Sequence, residues 1–274
     1  MARRIGDNVD DSALDAEGVG EEADDSQLDG VDDEGDDEEL GEDELDDAMV
    51  DEVDDDEADE DEDEFGSDED VRIERVRHAD SGCNTWLIGD DEEVIVVDPG
   101  TDAAAVLAAA GDREVLAVIC THGHRTHVAA ALDVADRDEA PVALHPADLV
   151  LWREVHSDDD PAIDMEEGGL FEVAGVTLEV VHTPGHSAGS ASIYCEDLGV
   201  VFTGDALLAD GPGPHENEFP NFSEQLSAIG EELLTLPGNT RVLPGHGEES
   251  KVSAAEKRFD GWVSAGPVIA DPTE

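Results

Sequence analysis

The chain has 274 residues with 13 Lys+Arg against 76 Asp+Glu, a formal net charge of −63, and nothing this acidic grips nucleic acid through a basic face. The imbalance divides at residue 70: residues 1–70 hold 37 acids and only Arg3 and Arg4 (−35), while residues 71–274 hold 39 acids and 11 bases (−28). The first segment has no His, Trp or Cys and only Phe65 among aromatics, too little apolar surface to offset the entropy of ordering, so it reads as an acidic disordered tail preceding one domain at 71–274.

From Val71 the texture changes to short β-branched runs. Val71 to His78, Asn84 to Gly89 and Glu93 to Asp98 read as strands, the last two joined by a turn at Gly89-Asp90-Asp91-Glu92. Pro99-Gly100 stops the third, and Thr101 is the expected cap of an Ala-rich helix from Asp102 to Ala110 that Gly111 ends. Val115 to Cys120 reads as a buried strand, followed by a His-rich loop and a helix through Asp138. Strand and helix repeat at Pro141 to His145 and Ala147 to Val155. The second half opens with strands at Leu170 to Val173, Val176 to His182, Ser190 to Glu196 and Gly199 to Thr203. A Gly/Pro-rich loop from Asp205 to Pro220 then leads to a helix at Phe222 to Leu236 and a strand at Arg241 to Leu243. This order suggests two packed sheets with helices outside.

Four short motifs fall where strands end: Thr121-His122-Gly123-His124-Arg125-Thr126-His127, Thr183-Pro184-Gly185-His186-Ser187, Thr203-Gly204-Asp205 and Pro244-Gly245-His246-Gly247. Strand ends are where a sandwich gathers functional loops. His122 and His124 alternate along an extended segment and can face one ion, while His127 points elsewhere, an arrangement suited to two adjacent metal centres. Neutral imidazoles with one or two carboxylates and no thiolate suit zinc, iron or manganese.

These motifs resemble the metallo-β-lactamase superfamily, specifically the hydroxyacylglutathione hydrolase (glyoxalase II) branch, over about residues 73 to 250, and Val97-Asp98-Pro99-Gly100 matches that family's Asp turn. The resemblance implies an α+β fold, a four-layer αββα sandwich of two mixed β-sheets with helices on the outer faces. It also implies that His122, His124 and His186 bind a first metal, that His127 and His246 bind a second, and that Asp205 bridges them. One or two zinc ions are expected, with iron or manganese as alternatives. Where the family motif His-x-His-x-Asp-His has its Asp, this chain has Thr126, so the second site is one anionic ligand short and should bind more weakly. Asp205 and Thr126 are the residues expected to bear on catalysis. Asp98, Thr183 and Ser187 are outer groups that hold ligands or backbone in place, with Asp98 foremost structural. His182 reads as an outer or core residue, His145 and His156 as surface or strand-end residues, and His215 as a residue that could line a substrate cleft.

A metal ion with an open position lowers the pKa of bound water toward about 7 and polarises a carbonyl. The expected activity is therefore hydrolysis by metal-bound hydroxide. Amide cleavage also wants an acid for the amine, and Glu248 and Glu249 continue a surface-like acidic run, whereas a thiolate with parent pKa about 8.5 leaves largely unaided. A small-molecule thioester or activated ester is the expected substrate. The 28 residues after His246 are too few for the helical glutathione-binding domain of full-length relatives. Two alternatives stand beside this reading: a mononuclear iron enzyme that oxidises persulfides with dioxygen, as relatives resembling this site do, and a catalytically silent metal-binding protein whose tail recruits a partner. In that tail, Leu45, Met49 and Val53 have the i, i+4, i+8 spacing of a fleeting helix.

The domain's −28, with Lys251 and Lys257 its only lysines, reads as adaptation to high cytoplasmic salt, where a Debye length of about 3 Å removes most self-repulsion. No run approaches the roughly 18 to 20 apolar residues of a membrane span, and Ile5 to Asp11 supplies no apolar stretch for a signal peptide. The cytoplasm is the expected location, with no membrane partner and the oligomeric state open. Cys83, Cys120 and Cys195 are odd in number and lack metal-type spacing, so no disulfide is expected, and Cys120 and Cys195 read as core.

Overall fold

The computed structural model describes residues 71–157, 159–214 and 221–266. The tail at 1–70, including its Leu45-Met49-Val53 spacing, and His215 lie outside the described residues.

Two six-stranded sheets form the domain. The first runs in sequence order: β1 (Arg72–Arg77), β2 (Asn84–Gly89), β3 (Glu93–Val97), β4 (Glu114–Ile119), β5 (Val142–Leu144) and β6 (Ile163–Asp164). Hairpin connections make β1, β2 and β3 antiparallel, and crossovers make β3 to β6 parallel. The second comprises β7 (Leu170–Val173), β8 (Val176–His182), β9 (Ala191–Cys195), β10 (Val200–Gly204), β11 (Arg241–Pro244) and β12 (Ser250–Lys251), with β10 and β11 its one parallel pair.

Side-chain alternation along the strands creates three apolar layers. Trp86 and Ile88 of β2 face Ile193 and Phe202 of the other sheet, with Trp86 and Phe202 ring centroids 6.2 Å apart. Leu87, between them in sequence, points the other way, into a layer shared with Val106, Val134 and Trp152. On the far side of the second sheet, Val201 and Val242 pack against Ile229, Leu233 and Val252. The helices covering these outer faces are α1 (Ala103–Ala110), α2 (Arg125–Val128), α3 (Ala131–Ala135) and α4 (Leu149–Arg153) on the first sheet, and α5 (Phe222–Glu231) and α6 (Val252–Ala265) on the second. The result is the expected four-layer αββα sandwich of two mixed sheets. Cys120 and Cys195 are fully buried in it, and Cys83, Cys120 and Cys195 form no disulfide with one another.

Several local expectations need correction. Asp102, not Thr101, caps α1: its side chain accepts from the Ala105 N–H at 3.1 Å, while the Thr101 hydroxyl is turned to Asp80 at 3.0 Å. The helix expected through Asp138 is broken into α2 and α3, because the Ala130 N–H is drawn to the Gly100 carbonyl (2.9 Å) instead of continuing the helical ladder. The helix expected to reach Leu236 stops at Glu231 and gives way to a 3-10 turn at Leu233–Thr235, since Leu236 precedes Pro237 and is extended. β6, β12 and α6 have no counterpart in the sequence reading. The burial of α6 follows Val252, Ala255, Phe259 and Trp262, the stripe of a surface helix.

Candidate metal centre

Every motif singled out in the sequence opens at one rim of the sandwich. The loop after β4 carries His122 and His124, and α2 carries His127; the loop after β8 carries His186, the end of β10 carries Asp205, and the end of β11 carries His246. Backbone bonds stitch these loops together across the two sheets. The Thr121 carbonyl accepts from Ala191 N at 2.8 Å, and Asn84 N donates to the Gly245 carbonyl at 2.7 Å. Asn84 Nδ2 also reaches the carbonyls of Pro244 and Gly247, both at 3.0 Å.

Two glycines make the approach possible. A Cβ at Gly245 would lie 2.5 Å from His127 Cε1 and 2.7 Å from Asp205 Oδ1, so only a bare backbone lets the His246 loop close over the carboxylate. Gly185 sits at φ +128°, and a Cβ there would meet the Gln225 backbone at 2.2 Å.

His122, His124 and His186 form a corner of mutually perpendicular rings, each centroid 4.8 Å from the other two, with His124 Nδ1 3.0 Å from His186 Nε2. Asp205 links this corner to the remaining histidines: its carboxylate oxygens lie 2.8 Å from His246 Nδ1, 3.3 Å from His127 Nε2 and 3.8 Å from His186 Nε2. Burial alone would push the Asp205 carboxyl up, but the imidazoles of His127 and His246 hold it ionised, well below the usual carboxylate range. At His127 burial favours the neutral ring, and Cys83, Asp205 and Asp98 outweigh it, raising its pKa well above that of an ordinary histidine. His122 goes the other way, lowered by burial and by the neighbouring imidazoles of His127, His124 and His186.

The donor set fits a metal ion. His122 Nε2 is buried with no hydrogen-bond partner, in a ring held neutral, which is the ligating form. Ligand atoms lie within 4.8 Å of one another in three groups: His122, His124 and His186; Cys83, His127 and His246; and Asp98, His122 and His127.

Two participants escape the sequence reading, and one correction follows. Cys83 Sγ lies 3.7 Å from His127 Nδ1, so a thiol borders a centre that was expected to have none. Burial raises its pKa. Asp148, at the start of α4, is buried and accepts from Gly123 N (2.8 Å), Gly189 N (2.6 Å) and the Ser187 hydroxyl (2.6 Å), clasping the His122–His124 loop to the His186 loop. No spacing rule marks Cys83, although Pro146-Ala147-Asp148 carries the Pro and acid of a helix start.

This centre spans a match to the Metallo-beta-lactamase superfamily over residues 78–246. The chain belongs to that superfamily. Among its relatives is a Bacillus subtilis protein named "Probable metallo-hydrolase YqgX", 33% identical, with the match covering 62% of this chain and 87% of the relative. The hydroxyacylglutathione hydrolase GloC of Haemophilus influenzae is 27% identical over 66% of this chain and 93% of its own. The crystal structure of TTHA1623 in a di-iron-bound form superposes with a TM-score of 0.60 at 29% identity, covering 68% of this chain and 98% of that one.

The other residues named from the sequence lie around this centre or apart from it. Asp98 does more than the structural work expected of it, because it also contacts His127 Nδ1 at 3.0 Å. Ser187 binds Asp148, and Thr183 binds Ser192 at 2.9 Å. Thr126 is half-buried and lines a cavity with His124 and Arg125. His182 is half-buried and stacks on His145, centroids 4.2 Å apart, with Nε2 on the Ala188 carbonyl. His156 reaches the Val128 carbonyl at 2.8 Å. Glu248 and Glu249 are exposed and paired with Arg77 and Arg241. No helix among the described residues is long and apolar enough to cross a membrane.

Proposed function

We propose that this chain is a metal-dependent hydrolase of thioester-like or activated ester substrates, built as a catalytic domain at residues 71–274 behind an acidic segment at 1–70 and working in a salt-rich cytoplasm. The observation that carries the reading is the position of Asp205, whose one carboxylate faces His127, His186 and His246 together. In this proposal His122, His124 and His186 hold one ion, His127 and His246 a second, and Asp205 lies between them. A metal held there supplies Lewis acidity and a water of lowered pKa.

The protein's own groups set the rest. Asp205, kept ionised among imidazoles, provides the negative charge of the centre and an acceptor for a proton of the attacking water. Thr126 stands at the motif position where the superfamily resemblance places an aspartate, so in this proposal the second site is one anionic ligand short and the weaker of the two. Glu248 and Glu249 are engaged in exposed ion pairs with Arg75, Arg77 and Arg241, so neither is poised as the acid for an amine leaving group. A thiolate, with parent pKa about 8.5, needs none. The likeness to GloC supports this substrate class.

A second reading, oxidation of a persulfide by dioxygen at a single iron, draws on the missing carboxylate at Thr126 and on the likeness to the crystal structure of ETHE1 from Myxococcus xanthus, 26% identical with a TM-score of 0.59. Metal analysis of the full chain purified in high salt, combined with turnover of an acyl thioester and oxygen uptake with a persulfide, separates the two. Thioester cleavage that is lost in His124→Ala supports the hydrolase; oxygen uptake without thioester cleavage overturns it.

A further inference from the structure

Two cavities flank His124 and share Leu151 and Glu154 as a common wall. One, of about 270 Å³, is lined by Ala147, Val150, Leu151 and Ala188 and reaches both His124 and His186. It is larger than the roughly 150 Å³ apolar cavity that suffices for benzene. Val150 is 70% exposed on its edge, one of the few large apolar side chains so displayed among the described residues. The other, of about 280 Å³, is polar and contains Gly123, Arg125 and Thr126.

Arg125 is exceptional in its charge environment. Every other arginine among the described residues makes an ion pair with a carboxylate. Arg125 makes none among the described residues, in a chain where acids outnumber bases 76 to 13. Its backbone is fixed in the first turn of α2, directly after His124. Glu154 shares its cavity without reaching ion-pair distance. A guanidinium with no ion-pair partner among the described residues, beside the candidate metal centre of so acidic a protein, is a cation available for an incoming anion.

We propose that Arg125 docks a carboxylate of the substrate. Resting on the hydrolase reading, this narrows the substrate to a thioester with an apolar chain on one side of the carbonyl and a carboxylate on the other, the carbonyl lying over His124 between the two cavities. A carboxylate fits better than a phosphate because Glu154 lines the same space and repels a dianion more strongly than a monoanion.

The test uses the metal-loaded full chain at fixed salt and two matched substrate pairs. One pair is the butyryl thioester of 3-mercaptopropionate and of 3-mercaptopropionamide; the other is the succinyl and the succinamoyl thioester of propanethiol. The readout is the ratio of kcat/KM for carboxylate over carboxamide within each pair. For at least one pair the ratio should exceed one and fall roughly tenfold to a hundredfold in Arg125→Gln, the range of a charge-assisted hydrogen bond. Arg125→Lys should restore part of it, and Glu154→Gln should raise it. A ratio unchanged by Arg125→Gln in both pairs overturns the docking role and leaves the hydrolase reading standing. If no thioester is turned over, calorimetry with the corresponding non-hydrolysable thioethers decides: tighter carboxylate binding by the wild type than by Arg125→Gln supports the docking role, and equal binding overturns it.

Discussion

Asp98 Oδ2 lies 3.0 Å from His127 Nδ1, while Oδ1 of the same carboxylate accepts the Thr121 N–H at 2.8 Å. One buried side chain therefore fixes both the end of β4 and the tautomer of a histidine. With Nδ1–H given to Asp98, Nε2 of His127 is left facing Asp205 as the available donor to a metal.

Asp98→Asn keeps the shape and tolerates the left-handed backbone found here (φ +52°), but puts an NH2 where the oxygen accepted from His127. The ring must then accept at Nδ1 and protonate Nε2. Metal affinity at that histidine should fall about 10- to 100-fold, the usual effect of losing such an outer partner, as read by titration with Zn²⁺ against a chromophoric chelator. Undiminished affinity would show that Asp98 serves the backbone alone.

Asp148→Ala removes the acceptor of three buried donors. Each stranded donor costs about 1–3 kcal/mol, so the metal-free domain should lose roughly 3 kcal/mol or more, visible as a lower urea midpoint. Loosening of both histidine loops should also weaken metal binding in Asp148→Asn, which keeps the volume. A destabilised variant with wild-type affinity would separate the clasp from the centre.

Thr126→Asp supplies the missing carboxylate. Metal content after dialysis should rise toward two ions per chain, by elemental analysis against protein concentration. An unchanged content would mean that Thr126 does not set the occupancy of the second position.

The proton on His127 gives a pH dependence of known sign. Its pKa is raised in the metal-free protein above that of an ordinary histidine, so wherever the pH lies below that raised value a metal must displace a proton to bind there. Affinity for that position should therefore increase with pH, by about tenfold per unit for each proton released, until the pH passes the raised pKa. Calorimetry of Zn²⁺ binding in buffers of different ionisation enthalpy counts the protons. Zero release at neutral pH would place the charge elsewhere.

Much of the fold was legible because burial imposes period. β2, β7 and β8 occupy the spans expected from their apolar cores Trp86-Leu87-Ile88, Leu170-Phe171 with Val173, and Val176 to Val181. β6 and β12, each two residues long, carry too few side chains to show a period, and α6 was hidden by the polar residues between its Val252, Ala255, Phe259 and Trp262 stripe. The motif residues could be found because glycine and proline mark their loops. Cys83 and Asp148 could not, since their importance comes from partners 44 and 39 residues away, His127 and Ser187. The break between α2 and α3 was equally invisible, being decided by a carbonyl at Gly100 that no local pattern reports.

The histidines of the β4 loop and α2 stand on one sheet, and His186, Asp205 and His246 on the other. An ion shared between them is thus a rivet through the sandwich, and mass action turns its binding into cohesion: saturation a hundredfold above the dissociation constant contributes about 2.7 kcal/mol to holding the folded state. On the proposed reading, a chelator would act at once as an inhibitor and as a mild denaturant, and metal supply would set how long the chain endures as well as how fast it works.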